Sequence, residues 1–137
     1  MNEESAAYLR KAEKDLRAAE ILLREQDADS AAGRAYYAML HIAQALLRSK
    51  ELRYRKHSGA HAAYGEHFAK TSILDPKYHR WMLAAFNNRL TSDYDIDVTL
   101  DLETVSVMLE QAREFLVTAR DYLSCLPESA GSGLAQE

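Results

Sequence analysis

The chain has 137 residues, with 17 lysines and arginines against 21 aspartates and glutamates and a formal net charge of −4. That length suits one domain with an ordinary core, the single Cys125 excludes a disulfide framework, and the near-neutral total gives no global electrostatic case for nucleic-acid binding. No apolar run approaches the roughly 18 residues that span a bilayer, and the acidic start Met1-Asn2-Glu3-Glu4-Ser5 lacks the features of a signal peptide, so a soluble cytoplasmic protein is expected.

Alanine, leucine, arginine and glutamate dominate while glycine and proline are scarce, which favours helices over strands. The first predicted helix runs from about Ser5 to Gln26, with Tyr8, Leu9, Ala12, Leu16, Ala19 and Leu23 on one stripe. The second starts after Asp29-Ser30, both good N-caps, and reaches about Lys50. A third, shorter helix covers about Ser58 to Lys70. The fourth takes Asp75 as its cap and Pro76 as its first residue, turns Tyr78, Trp81, Met82, Ala85 and Phe86 inward, and ends near Arg89. The fifth follows Asp101 and runs to about Leu126, with Val105, Met108, Leu109, Ala112, Leu116, Ala119 and Leu123 in register. Between the last two, Ile96-Asp97-Val98 is too short a strand-like fragment to build a sheet. The expected fold is an all-α, up-and-down bundle of four long helices plus one shorter helix over residues 1–126, followed by a disordered tail from Pro127 to Glu137.

The second helix is the most informative segment. Arg34, Tyr37, His41, Gln44 and Arg48 stand at offsets of 3, 7, 10 and 14, so at 3.6 residues per turn they share one face, while small alanines line the packing side. Such a face meets a partner, or it forms a buried polar network in which Tyr37 and His41 are satisfied by neighbouring helices. An Arg34–His41 pair on it could also act chemically.

Charge is unevenly distributed. Arg48, Lys50, Arg53, Arg55 and Lys56 face only Glu51 before His57, whereas Asp93, Asp95, Asp97, Asp101 and Glu103 have no base among them. Opposed patches suit self-association or docking, though each also reads as a solvated loop. The alternating aspartates do not make an EF-hand: Val98 stands where glycine is required and Thr104 where a bidentate glutamate is required. His57 and His61 are four apart, but His67 falls off their face, no acidic third ligand follows at helical spacing and Cys125 is remote, so no metal or other cofactor is expected. At the exit of the fourth helix, Arg89 is suited to clamping a phosphate bidentately, with Tyr94 donating to the same group.

The run Ala31 to Leu47 with its Arg-Ala-Tyr-Tyr-Ala-Met and later histidine, the basic loop leading into His57-Ser58-Gly59, and the exit Arg89-x-x-x-Asp93-Tyr94-Asp95 together resemble the HEPN domain family of bacteria and archaea. The resemblance spans about Tyr8 to Leu123. It implies a four-to-five-helix bundle that pairs as a homodimer, often beside a minimal nucleotidyltransferase with which it forms a toxin–antitoxin pair. It also implies, for many members, metal-independent endoribonuclease activity from an Arg-x(4–6)-His motif near the dimer interface. Here the residue five after Arg89 is Tyr94, and a phenol titrating near 10 is a poor general base at neutral pH. The only literal Arg-x6-His is Arg34…His41, on a different helix. What the resemblance implies is therefore a homodimer that binds RNA or a nucleotide and works with a nucleotidyltransferase, with weak or no ribonuclease activity. Its site residues would be Arg89, Tyr94, Arg34 and His41, with Arg53, Arg55, Lys56 and His57 drawing in nucleic acid. In some pairs of the family the partner adenylylates a tyrosine near the motif, which makes Tyr94 the candidate acceptor. Two alternatives stay open: a helical interaction module without a ligand, and an active metal-independent endoribonuclease.

Overall fold

The computed structural model describes residues 1–127, so the expected tail lies, from residue 128 on, outside the described residues. It shows α1 (Glu3–Arg24), α2 (Ala28–Arg48), α3 (His57–Tyr64, prolonged by a π-helical turn over Gly65–Ala69), α4 (Lys77–Tyr94) and α5 (Leu102–Cys125). This is the expected all-α bundle of four long helices and one short one. No strand occurs among the described residues.

α2 is the central element, packed against α1, α3, α4 and α5. Ala31, Ala32, Ala35, Ala38, Ala43 and Ala45 are fully buried on it, and their small side chains let neighbouring backbones approach closely. Leu9, Ala12, Leu16 and Ala19 of α1 and Val105, Met108, Leu109, Ala112, Leu116, Ala119 and Leu123 of α5 close the core from either side. Tyr64, Phe68, Tyr78 and Phe115 fill one end as an aromatic cluster, with Tyr78 stacked on Phe115 at 5.0 Å between centroids.

Four boundaries differ from the sequence reading, each for a local reason. α2 begins earlier: the Asp27 carboxylate accepts from Ser30 N at 3.2 Å, while Asp29 reaches out to accept from Leu100 N at 3.0 Å. The connection from α1 is so short because Gln26 takes a left-handed conformation, φ 65°, and lets Asp27 N bond back to Leu22 O. α3 is interrupted at Gly65, where a Cβ would stand 2.6 Å from the His79 ring. α4 continues to Tyr94, because Arg89 pairs with Asp93 one turn on at 3.4 Å and Asp95 N still bonds Thr91 O. The expected cap at Asp101 is present, accepting from Thr104 N at 2.7 Å, whereas α4 starts one residue later than expected, with Pro76 in the cap position and the Asp75 carboxylate accepting from Lys77 N at 2.9 Å.

Candidate functional site

The α2 stripe faces a groove walled by α1 and by the loop and first turn of α3. Each of its side chains is held by another element. Asp15, buried on α1, accepts from Arg34 Nη1 at 3.0 Å through one carboxylate oxygen and pairs with His41 Nδ1 at 2.7 Å through the other. Gln44 donates to the Tyr54 carbonyl at 2.9 Å. Arg48 pairs with Glu4 at 3.3 Å and lies over the Tyr8 ring. Tyr37 is the meeting point: the Arg34 and Arg89 guanidiniums lie 5.0 and 5.2 Å from its centroid, and the His41 and His57 rings 6.3 and 5.7 Å away.

Behind Tyr37, the buried Tyr36 hydroxyl contacts His57 Nδ1 at 3.2 Å and His61 Nε2 at 2.8 Å. With a single proton, Tyr36 donates to one ring and accepts an N–H from the other. Burial, then the neighbouring His57 and His79, pushes His61 down to about 4. His57 is lowered too, first by burial and then by the Arg89 guanidinium and His41, so both rings are neutral near pH 7. Burial raises the Tyr36 hydroxyl and keeps it protonated.

The groove encloses about 310 Å³ and is lined by Tyr8, Lys11, Tyr37, Leu40, His41, Gln44, Arg48, Tyr54, Arg55 and His57. Of the eight residues named from the sequence, the structure gathers Arg34, His41, Arg89 and His57 around Tyr37 and puts Arg55 in the groove wall. Arg53 turns instead to Glu4, at 2.9 Å, and Lys56 is an exposed side chain at the start of α3. Tyr94 is 81 % exposed, and Asp93 rather than Tyr94 occupies the guanidinium of Arg89. Asp15 and the Tyr36–His61 contact escaped the sequence reading. Asp15 had a legible signal, a carboxylate between Ala12 and Ala19 on the apolar stripe of α1. The hydroxyl shared by two histidines had none. Among the described residues, no three His, Cys, Asp or Glu side chains group as a metal site, and no helix is long and apolar enough to cross a membrane.

The helical bundle belongs to a known class: the HEPN domain family model matches residues 5–122, and the chain is a member of that family. It is 36% identical over 115 residues to the protein named "Putative toxin MJ0142" of Methanocaldococcus jannaschii, covering 84% of this chain and 78% of that one. A second protein of the same organism, "Putative toxin MJ0605", is 34% identical across 80% of this chain and 82% of its own length. A "UPF0332 protein" of Thermotoga maritima is 34% identical across 80% and 83%.

Proposed function

We propose that this HEPN protein is the toxin-class member of a toxin–antitoxin-type system, a cytoplasmic homodimer that binds RNA along the polar face of α2. The observation that carries this reading is the convergence of two guanidiniums from different helices, Arg34 and Arg89, on the ring of Tyr37. A cationic rim around an aromatic face suits a nucleotide strand, in which phosphates alternate with stackable bases. Arg55 in the groove wall and exposed Lys56 extend the positive track. Two relatives bear the name of toxin, which supports the biological class.

In the pair, the acidic link around Asp93, Asp95 and Asp97 meets complementary charge on the second subunit or on a nucleotidyltransferase partner, and the exposed Tyr94 hydroxyl is the group such an enzyme would modify. The test is binding of a randomised single-stranded RNA pool at several salt concentrations, alongside the sedimentation mass. Wild-type protein sediments as a dimer and its affinity falls steeply with salt. Arg89→Ala weakens binding at least about tenfold and abolishes growth inhibition on expression. Unchanged affinity and toxicity in Arg89→Ala, with the dimer intact, would leave a ligand-free interaction module as the better description.

A further inference from the structure

On the side of the bundle turned away from α2, the two outer helices expose stripes of opposite charge. On α1, Arg10, Lys14, Arg17, Ile21 and Arg24 are exposed at alternating steps of four and three residues, which keeps them on one line of the helix surface. On α5, Glu103, Val107, Glu110, Glu114, Val117 and Asp121 are exposed at the same alternation. Each stripe lies opposite the line that its own helix turns to the core, Leu9, Ala12, Leu16 and Ala19 on α1 and Val105, Ala112, Leu116 and Ala119 on α5. The Glu13–Arg120 and Glu20–Arg113 pairs join the helices side by side and antiparallel, so the stripes are two halves of one face. The seam between them is a groove of about 450 Å³ lined in part by Leu23, Leu109 and Arg24. Arg10 pairs with Glu3, Glu110 with Arg113 and Glu114 with Lys77, but Lys14, Arg17, Arg24, Glu103 and Asp121 enter no ion pair among the described residues. Amid these charges Ile21, Val107 and Val117 are 51, 51 and 54 % exposed, apolar groups left in water.

We infer that this face of α1 and α5 binds a second copy of the chain, the basic stripe of each copy lying on the acidic stripe of the other. The inference rests on the homodimer of the reading above, whose surface it names, and it needs no RNA. A two-fold axis running between α1 and α5, parallel to both, lays α1 of one copy over α5 of its partner in both halves of the contact. That rotation shifts nothing along the helices, so the register follows from the pairs within one chain, Glu13 with Arg120 and Glu20 with Arg113. Counted from those, Arg24 falls beside the partner's Glu110, Arg17 between the partner's Glu114 and the partner's Val117, and Lys14 between the partner's Val117 and the partner's Asp121. Cations meet acids along the line, and the exposed isoleucine and valines leave water. Helices of 22 and 24 residues side by side offer a face about 33 Å by 20 Å, or about 1,300 Å² over two copies, within the range of specific interfaces. A nucleic-acid strand is the poorer occupant, because phosphates drawn to α1 would lie against the acids of α5.

The test is sedimentation equilibrium of the full chain at several salt concentrations, with reversals that swap the charges of the two stripes. Wild-type self-association weakens as salt rises. Lys14→Glu with Arg24→Glu, on α1, weakens it at least about tenfold, as does Glu110→Lys with Asp121→Lys, on α5. All four side chains are exposed, so the variants keep the fold, which circular dichroism checks. An equimolar mixture of the two variants associates again, because both halves of the contact then pair opposite charges, and so does the chain carrying all four reversals. A merely solvated surface produces neither recovery. Association that the reversals leave unchanged, or that returns in neither the mixture nor the fourfold variant, overturns this face and leaves the homodimer to form elsewhere. A wild-type chain that stays monomeric overturns the face and the homodimer together, while RNA affinity on the same samples reports separately on the groove. Loss of RNA affinity without loss of association in the α1 variant overturns the inference and gives that stripe to nucleic acid.

Discussion

Along α2, Arg34, Tyr37, His41, Gln44 and Arg48 each meet a side chain or carbonyl from another element, whereas past Arg89 the polar stretch of α4 runs out into solvent, with Tyr94 81 % and Ile96 96 % exposed. Both stretches combine arginine with tyrosine. They differ in what lies opposite. The α2 stripe is flanked by α1 on one side and by the turn into α3 on the other, so its charges are partly desolvated and must be paired. The end of α4 faces a link tethered to the bundle by the Asp29–Leu100 bond at 3.0 Å, and its charges remain hydrated. Similar residues thus make a rigid site in one place and an open edge in the other.

The contrast breaks most severely at Asp15. Asp15→Ala removes the acceptor of both Arg34 and His41, and the expected loss is about 3 kcal/mol in chemical denaturation. That sits at the low end of the range for a broken buried pair because the Arg34 side chain is 43 % exposed and rehydrates. A loss under about 1 kcal/mol would show that the stripe is no tighter than the α4 edge.

Acid probes the same side of the molecule. His61 titrates at 6.5 when unfolded and at about 4 when folded, so the unfolded chain binds its proton first. Its contribution is complete above pH 6.5 and is lost as pH falls toward 4, about 3 kcal/mol in all, with His57 acting in the same direction. Thermal melts from pH 7 to 4 should show that decline, and His61→Gln should flatten it. A smaller effect, about 1–2 kcal/mol, is expected for Tyr36→Phe, which strips the hydroxyl from two ring nitrogens and leaves the core packing unchanged. Smallest of all are Tyr94→Ser and Ile96→Ser, whose unfolding free energies should stay within about 0.5 kcal/mol of wild type. Destabilisation beyond that would mean that the link packs on the bundle.

Helices were legible because apolar spacing is a local property. The stripes of α1 and α5 and the cap at Asp101 stand as expected from neighbours three and four residues apart. Boundaries were less so. Thr91-Ser92-Asp93 has the composition of a turn, yet the Arg89–Asp93 pair carries the helix through it. The candidate site was half legible. The shared face of Arg34, Tyr37 and His41 follows from helical geometry alone, but nothing in the chain ties Asp15 to His41 or sets His57 and His61 on one hydroxyl.

The order of residues by itself determined an all-helical chain, a polar stripe on its central helix and the residues that mark it as a HEPN protein, because each depends on side chains within a few turns of one another. The tertiary fold alone decided which polar groups became partners. Asp15 lies 26 residues from His41, and Tyr36 lies 21 and 25 residues from the two histidines it joins. Such pairings arise only when packing the alanine face of α2 brings distant carboxylate, hydroxyl and imidazole out of water together, where an unmatched polar group costs about 1–3 kcal/mol.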